Sequence, residues 1–234
     1  MVDVHHSPRR YVLPARLIWS ALFSTTITFL KELDAAINCA NLPPDVKQGT
    51  LFLEIILIRH GKPLSAHNEK LTADGFEQWV KDYDLSELAS ASQPHQKLDL
   101  TPYYILSSDL KRAIDSTQVY CQRLPTESLP IFREMDIPYY PSNWRVRAWT
   151  WVYWNRLRWI LGKPGPFESF ADAKKRAQQG AELLETYADK HGKVVVFAHG
   201  MINRFIRQNL AKKGWDVVEK NDKYWGVNRL VRKI

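Results

Sequence analysis

The stretch Leu51–Pro63, LFLEIILIRHGKP, constrains the chain more than any other. Its aliphatic run is too short to span a bilayer and rich in Ile and Leu, which predicts a buried strand. Glu54 interrupts the run and is expected near the strand's wet end or against a partner. The run stops at Arg59-His60-Gly61. Successive strand side chains point to opposite faces, so Arg59 and His60 address one ligand only if the chain leaves the strand there. Gly61 is read as supplying the freedom to turn. An arginine and a histidine at the carboxyl end of a buried strand stand where open α/β sheets hold ligands.

The same switch recurs twice. Tyr103–Leu106 is the next expected strand; it ends in Ser107-Ser108-Asp109, and a helix follows through Ala113, Ile114, Thr117 and Tyr120. Ser108 is its expected N-cap, which puts Arg112 on the first turn. Lys193–Ala198 is the clearest buried strand, closed by His199-Gly200 and followed by a helix over Met201–Leu210. Between them an amphipathic helix over residues 169–190 carries Phe170, Ala173, Ala177, Ala181, Leu184 and Ala188 on its inner stripe. Ser169 with Asp172 resembles a capping box there. Thr72 is the expected N-cap of a helix through Phe76, Trp79 and Val80, residues 84–100 read as a solvent-side connection, and Val227–Ile234 reads as an edge strand.

Parallel strands joined by crossover helices put their carboxyl ends on one rim, so Arg59, His60, Arg112 and His199 converge by topology. The expected fold is α/β: a three-layer α/β/α sandwich around a mostly parallel sheet, with an N-terminal helical extension. Arginine forks match phosphate oxygens, and helix N-termini add donors, so the cluster reads as a pocket for a tetrahedral dianion.

Length and charge fit this frame. At 234 residues the chain suits one large domain with an extension, and a net charge of +8 favours an anionic partner. No RNP, zinc-finger or helix-turn-helix spacing is present, so a phosphorylated small molecule is expected rather than nucleic acid. Oligomeric state leaves no mark in the sequence. Cys39 and Cys121 lie far apart and read as free buried thiols. His5 and His6 lack neighbouring ligands, and no HExxH, EF-hand or Cys/His cluster occurs, so no metal or other cofactor is expected. Residues 1–47 form the expected extension: a helical pattern from Pro14 to Asn38, broken by Leu42-Pro43-Pro44-Asp45. A rival reading makes Arg9, Arg10 and Arg16 with the following apolar stretch a signal peptide. Ser24, Thr25, Thr26 and Thr28 dilute that stretch, and charged Lys31, Glu32 and Asp34 follow it. A cytoplasmic location is therefore expected, with secretion or membrane association as the alternative.

Residues 48–234 resemble the histidine phosphatase superfamily, the phosphoglycerate-mutase-like proteins. The resemblance rests on Arg59-His60-Gly61, Leu71-Thr72 with Gly75 and Gln78, Ser107–Ala113 and Phe197-Ala198-His199-Gly200, in that order. It implies a phosphoric monoester hydrolase of the histidine acid phosphatase type, with His60 as nucleophile and Arg59, Arg112 and His199 holding the phosphoryl oxygens. It also implies Glu134 as general acid, with Asp136 the alternative; the competing reading is a surface carboxylate paired with Arg133. Asn68 and Glu168 are further implied substrate contacts. Departures are Lys62 after the glycine, and Asp136–Pro141 where relatives are often glycine-rich. The longer mutase-type stretch after Arg-His-Gly is missing, which favours hydrolysis over phosphoglycerate-mutase-like transfer. A phospholigand-binding protein with little turnover is the other alternative.

Residues 138–167 are expected to form a cap over the pocket. Five of the nine tryptophans lie between 144 and 163, interleaved with Arg145, Arg147, Arg156 and Arg158. Three readings stand: a folded cap with tryptophan in its core, a stacking surface for an aromatic or polyanionic substrate, or a peripheral contact with an anionic membrane.

Overall fold

The computed structural model describes residues 52–234. The expected N-terminal helix, the boundary at residue 47, His5, His6 and Cys39 lie outside the described residues.

The long aliphatic run forms β1 (Phe52–Arg59), at the heart of a six-stranded sheet. In spatial order the sheet is β4 (Glu127–Ser128), β3 (Tyr104–Ser107), β6 (Lys193–Ala198), β1, β8 (Val227–Lys233) and β7 (Asp216–Glu219). The first four run parallel, and β8 and β7 add antiparallel pairs. The C-terminal strand is therefore not an edge: it lies between β1 and β7. β7 carried no hydrophobic signal because all four of its residues are exposed.

Strand alternation divides the core between two faces. Leu53, Ile55 and Leu57 join the alanine stripe of α4 (Phe170–His191) and Ile202, Ile206 and Leu210 of α5 (Gly200–Lys212). Ile56 and Ile58 join Ile105, Val195, Phe197 and Tyr120, the last from α2 (Lys111–Cys121). Helices thus cover both faces, giving three layers. Small alanines let α4 lie close against the sheet, and Ser169 caps it by accepting from the Asp172 N–H at 3.1 Å. Glu54, buried, has the expected partner, an ion pair with Arg229 of β8.

A third cluster stands apart from the sheet. Phe76, Trp79, Val80 and Tyr83 of α1 (Ala73–Leu85) meet Ala148, Trp151 and Val152 of α3 (Ala148–Ile160). Thr72 begins α1 as its N-cap, accepting from Gly75 N–H at 3.2 Å. A short antiparallel pair, β2 (Lys70–Leu71) with β5 (Val146–Arg147), ties the two segments. α1 supplies half of this cluster, here called the cap, so its core draws on residues outside 138–167. Trp151 and Trp159 are fully buried, whereas Trp144 and Trp154 are not.

Candidate active site

β1 and β6 are paired in parallel with Arg59 opposite Ala198, so the next residues of each strand, His60 and His199, leave the sheet together. The His60 N–H donates to Ala198 C=O at 2.9 Å, and the two rings meet edge to face with centroids 4.9 Å apart. On the other side of β1, Arg59 N–H donates to Gly226 C=O and Trp225 N–H donates to Arg59 C=O, both at 3.1 Å. Gly61 does not need positive φ; it needs room. A Cβ there would sit 2.4 Å from the Trp225 ring and 2.6 Å from Leu88. The expectation of a turning glycine gives way to one of close approach.

His60 is 1% exposed and His199 fully buried. His60 Nδ1 faces the Gly61 carbonyl at 2.6 Å, so its proton is held there and Nε2 carries the free lone pair. Burial first, then Arg112 and Arg59, holds the His60 pKa well below the ordinary 6.5, against the pull of the Gly61 carbonyl. His199 is lowered in the same way by burial, His60 and the same arginines. Its Nε2 lies 2.9 Å from Ser108 Oγ. That oxygen also accepts from Leu110 N–H at 3.3 Å, so Ser108 joins the His199 ring to the loop that leads into α2.

Ser108 is therefore not the N-cap of α2, which begins at Lys111 after Leu110 with no side-chain cap. Pairing of Ser107 with Phe197 brings Ser108 beside His199, and only the register of β3 against β6 reveals that role. Arg112 does project from the first turn of α2, fully buried. Its Nη1 donates to the Tyr83 and Asp84 carbonyls at 3.0 and 2.9 Å, and Nη2 reaches Asp84 Oδ1 at 3.4 Å. Arg59 Nη1 donates to Asp222 C=O at 2.9 Å, and its guanidinium lies close against Gly200, where a Cβ would be 3.2 Å away. Tyr83 covers the Arg112 guanidinium at 5.0 Å, and Tyr224 covers that of Arg59 at 4.2 Å. Around His60, three buried nitrogens have no protein partner: Arg59 Nε, Arg112 Nε and His199 Nδ1. The two arginine Nε–H groups are donors in any state, and buried donors left without a partner suit an anion.

Glu134 is not paired with Arg133, which binds Asp109 at 2.6 Å. Its carboxylate instead closes the N-terminus of α5, accepting from Met201 and Ile202 N–H at 3.1 and 3.0 Å and from Met135 N–H at 3.0 Å. The donors expected to face an anion at this helix start are thus engaged by a side chain. Asp136 accepts from the Glu168 N–H at 2.7 Å, and Glu168 forms an ion pair with Arg176 at 2.7 Å. Asp84, Glu134, Asp136 and Glu168 line one cavity of about 380 Å³. Asp84 is raised above the ordinary Asp value by burial, against the lowering pull of Arg112. Asn68 is exposed and accepts from Trp149 N–H at 3.2 Å, a bond at the start of the cap helix; no hydrogen bond among the described residues joins it to the histidine pair. Among the described residues, no three His, Cys, Asp or Glu side chains gather as a metal site would require.

Residues 55–222 match the family model of the histidine phosphatase superfamily, branch 1. The chain belongs to that superfamily. No curated protein matches it in sequence. Among solved structures it resembles the product of a Mycobacterium tuberculosis open reading frame, at 14% identity over 78% of this chain and 95% of that one, with a TM-score of 0.50. Mycobacterial glucosyl-3-phosphoglycerate phosphatase aligns at 18% identity over 77% and 90% of the two chains, TM-score 0.47. Phosphoserine phosphatase from Entamoeba histolytica, solved with 3-phosphoglyceric acid, aligns at 17% over 75% and 89%, TM-score 0.42. At such identities the likeness is one of fold.

Within this histidine phosphatase domain, Ser108, Tyr83, Tyr224, Asp84 and Arg156 surround the cluster without having been singled out as site residues. Arg156 comes from the middle of α3, donates to Met135 C=O at 3.4 Å and has an unpartnered buried Nε. Burial lowers its pKa, while Glu134, Tyr83 and Asp84 raise it and Arg59 lowers it. The sequence marked it only as one of four arginines among tryptophans.

Proposed function

We propose that the protein is a metal-independent phosphomonoesterase that works through a phosphohistidine on His60. The observation that carries this reading is the oriented imidazole: Nδ1 is tied to the Gly61 carbonyl, and Nε2 is free amid Arg59, Arg112 and His199, whose unpartnered nitrogens can receive phosphoryl oxygens. Nε2 attacks phosphorus as the bond to the ester oxygen breaks, and the leaving alkoxide takes a proton from a carboxylic acid. Water then attacks the phosphohistidine, its proton returns to that carboxylate, and phosphate departs with His60 regenerated. The arginines stabilise the charge on the transferring group. We assign the acid to Glu134, with Asp136 as the alternative; the position of Glu134 beside the start of α5, one residue beyond His199, supports it. The substrate is a small phosphorylated molecule, in keeping with the phosphorylated compounds named for the structural relatives.

A second reading, a phospholigand-binding protein with little turnover, is favoured by one observation: Glu134 is held by three backbone amides and must break contacts to deliver a proton. One experiment separates the two. Wild type and His60→Ala are mixed with an aryl phosphate, whose leaving group departs without an acid, and with alkyl phosphates. Hydrolysis by wild type, acid-labile phosphate after an alkaline quench, and loss of both in His60→Ala are expected. Phosphate binding without release on either substrate would favour the binding protein, and full activity in His60→Ala would end the phosphohistidine mechanism.

A further inference from the structure

The outer face of α3 does not belong to any core. Tyr153, Trp154, Leu157, Ile160 and Leu161 fall on one stripe of about 120° at helical spacing, and all are exposed, Tyr153 by 73% and Leu161 by 77%. Trp144, half exposed, continues the stripe by packing on Trp154 with ring centroids 5.7 Å apart. Single exposed apolar residues need no explanation, but six in one patch do. Beneath the C-terminal end of the stripe lies a cavity of about 460 Å³ lined by Ile160, Trp159, Phe167 and Phe170, with Lys163 and Lys174 also on its walls.

Charge identifies the occupant. From residue 137 to 167 there is no acidic side chain, while Arg145, Arg147, Arg156, Arg158 and Lys163 are all basic. Arg156 turns inward; Arg145, Arg147 and Lys163 are exposed, and Arg158 is half-buried over the Tyr140 ring at 4.4 Å. None of these four forms an ion pair among the described residues. A second copy docked by the same face would set this basic rim against itself. Nucleic acid would leave Leu157, Ile160 and Leu161 with nothing to stack on. An anionic bilayer matches both halves of the surface, with phosphate headgroups for the basic rim and the interfacial layer for Trp, Tyr and the aliphatic side chains. No helix among the described residues is long and apolar enough to cross a membrane, so the contact is one of lying on the surface.

We propose that the exposed face of α3 docks the protein on anionic lipid membranes, with Trp144, Trp154, Leu157 and Leu161 entering the interface and Arg145, Arg147 and Lys163 meeting the headgroups. The test is co-sedimentation of the full chain with vesicles of phosphatidylcholine alone and of phosphatidylcholine with phosphatidylserine. Binding is expected only to the anionic vesicles, falling as salt is raised. Leu157→Ser with Leu161→Ser should weaken it by about tenfold or more, and Arg145→Glu with Arg147→Glu should do the same through charge. Unchanged circular dichroism and melting in both variants exclude misfolding, since all four positions are exposed. Failure of the full chain to bind anionic vesicles overturns the proposal. So does undiminished binding by both variants, which would place the contact elsewhere on the chain. A dimer in solution that the serine variant converts to monomer would assign the face to a second copy instead.

Discussion

At the rim of the sheet, Arg59, His60, Ser108 and His199 come at or just beyond the ends of buried strands and Arg112 from the first helical turn after one; in the cap, the residues that come near them lie well inside helices or at a helix end. Arg59, His60, Ser108 and His199 owe their positions to strand register, in which a shift of one residue would turn every side chain to the other face. Tyr83, Asp84 and Arg156 owe theirs to how α1 packs against α3. The rim has one geometry, set by backbone hydrogen bonds on both flanks. The cap's contribution rests on aromatic packing, which tolerates substitution of similar volume and so can vary what surrounds the fixed cluster of histidines and arginines.

Four experiments sharpen or break that contrast. The largest expected effect is on the cap core. Trp151 is fully buried and stacks on Phe76 with centroids 5.8 Å apart, so Trp151→Ala should cost about 3–5 kcal/mol of stability, read by urea denaturation. Two separate transitions would show that cap and sheet unfold independently; one shifted transition would bind them into a single cooperative unit. Next, Arg112→Lys keeps the charge and loses the fork, and should lower kcat/KM roughly tenfold or more. Arg156→Lys should cost less, and an equal loss would erase the distinction between rim and cap arginines.

The third experiment concerns pH. His60 and His199 have native pKa values depressed by burial and by the arginines, so between those values and the ordinary 6.5 the unfolded chain binds more protons than the native one. Stability from these groups is complete above about pH 6.5 and is lost as pH falls toward the depressed values. Thermal melts from neutral to acidic pH should show this slope in wild type and a shallower one in a His60→Gln, His199→Gln variant; identical slopes would show that other groups govern acid unfolding. The smallest effect is at the helix starts. Thr72→Ala in the cap and Ser169→Ala in the sheet layers should each cost about 1 kcal/mol. Markedly unequal costs would show that one region yields more readily than the other.

The rim was legible in the sequence because a buried strand advertises itself by composition and stops where chemistry begins. β1 and β6, with Arg59, His60 and His199 at or just past their ends, follow from that rule, and α4 and α5 follow from their helical periodicity. Ser108 was misread because a serine before a helix has two uses, and only the neighbouring strand decides between capping and holding His199. β7 was missed, and β8 taken for an edge, because an exposed antiparallel strand has no hydrophobic alternation to display. Tyr83 and Tyr224 look like ordinary core aromatics until each is seen over an arginine. The free thiol Cys121 is only partly buried, although burial still pushes its pKa up to about 11.

The hydrogen bonds on either side of Arg59 and His60 also set how this site can move. β6 grips one flank of that segment and the turn at Trp225-Gly226 grips the other, so its amides are not free to fray. In hydrogen–deuterium exchange the amides of Arg59 and His60 belong with the slowest class, which opens only when the whole sheet does. The buried histidines must nonetheless be reached from outside. Access to His60 is thereby expected to come from movement of what surrounds it, such as Tyr83 and Tyr224, while the imidazole itself stays as still as the strand it grows from.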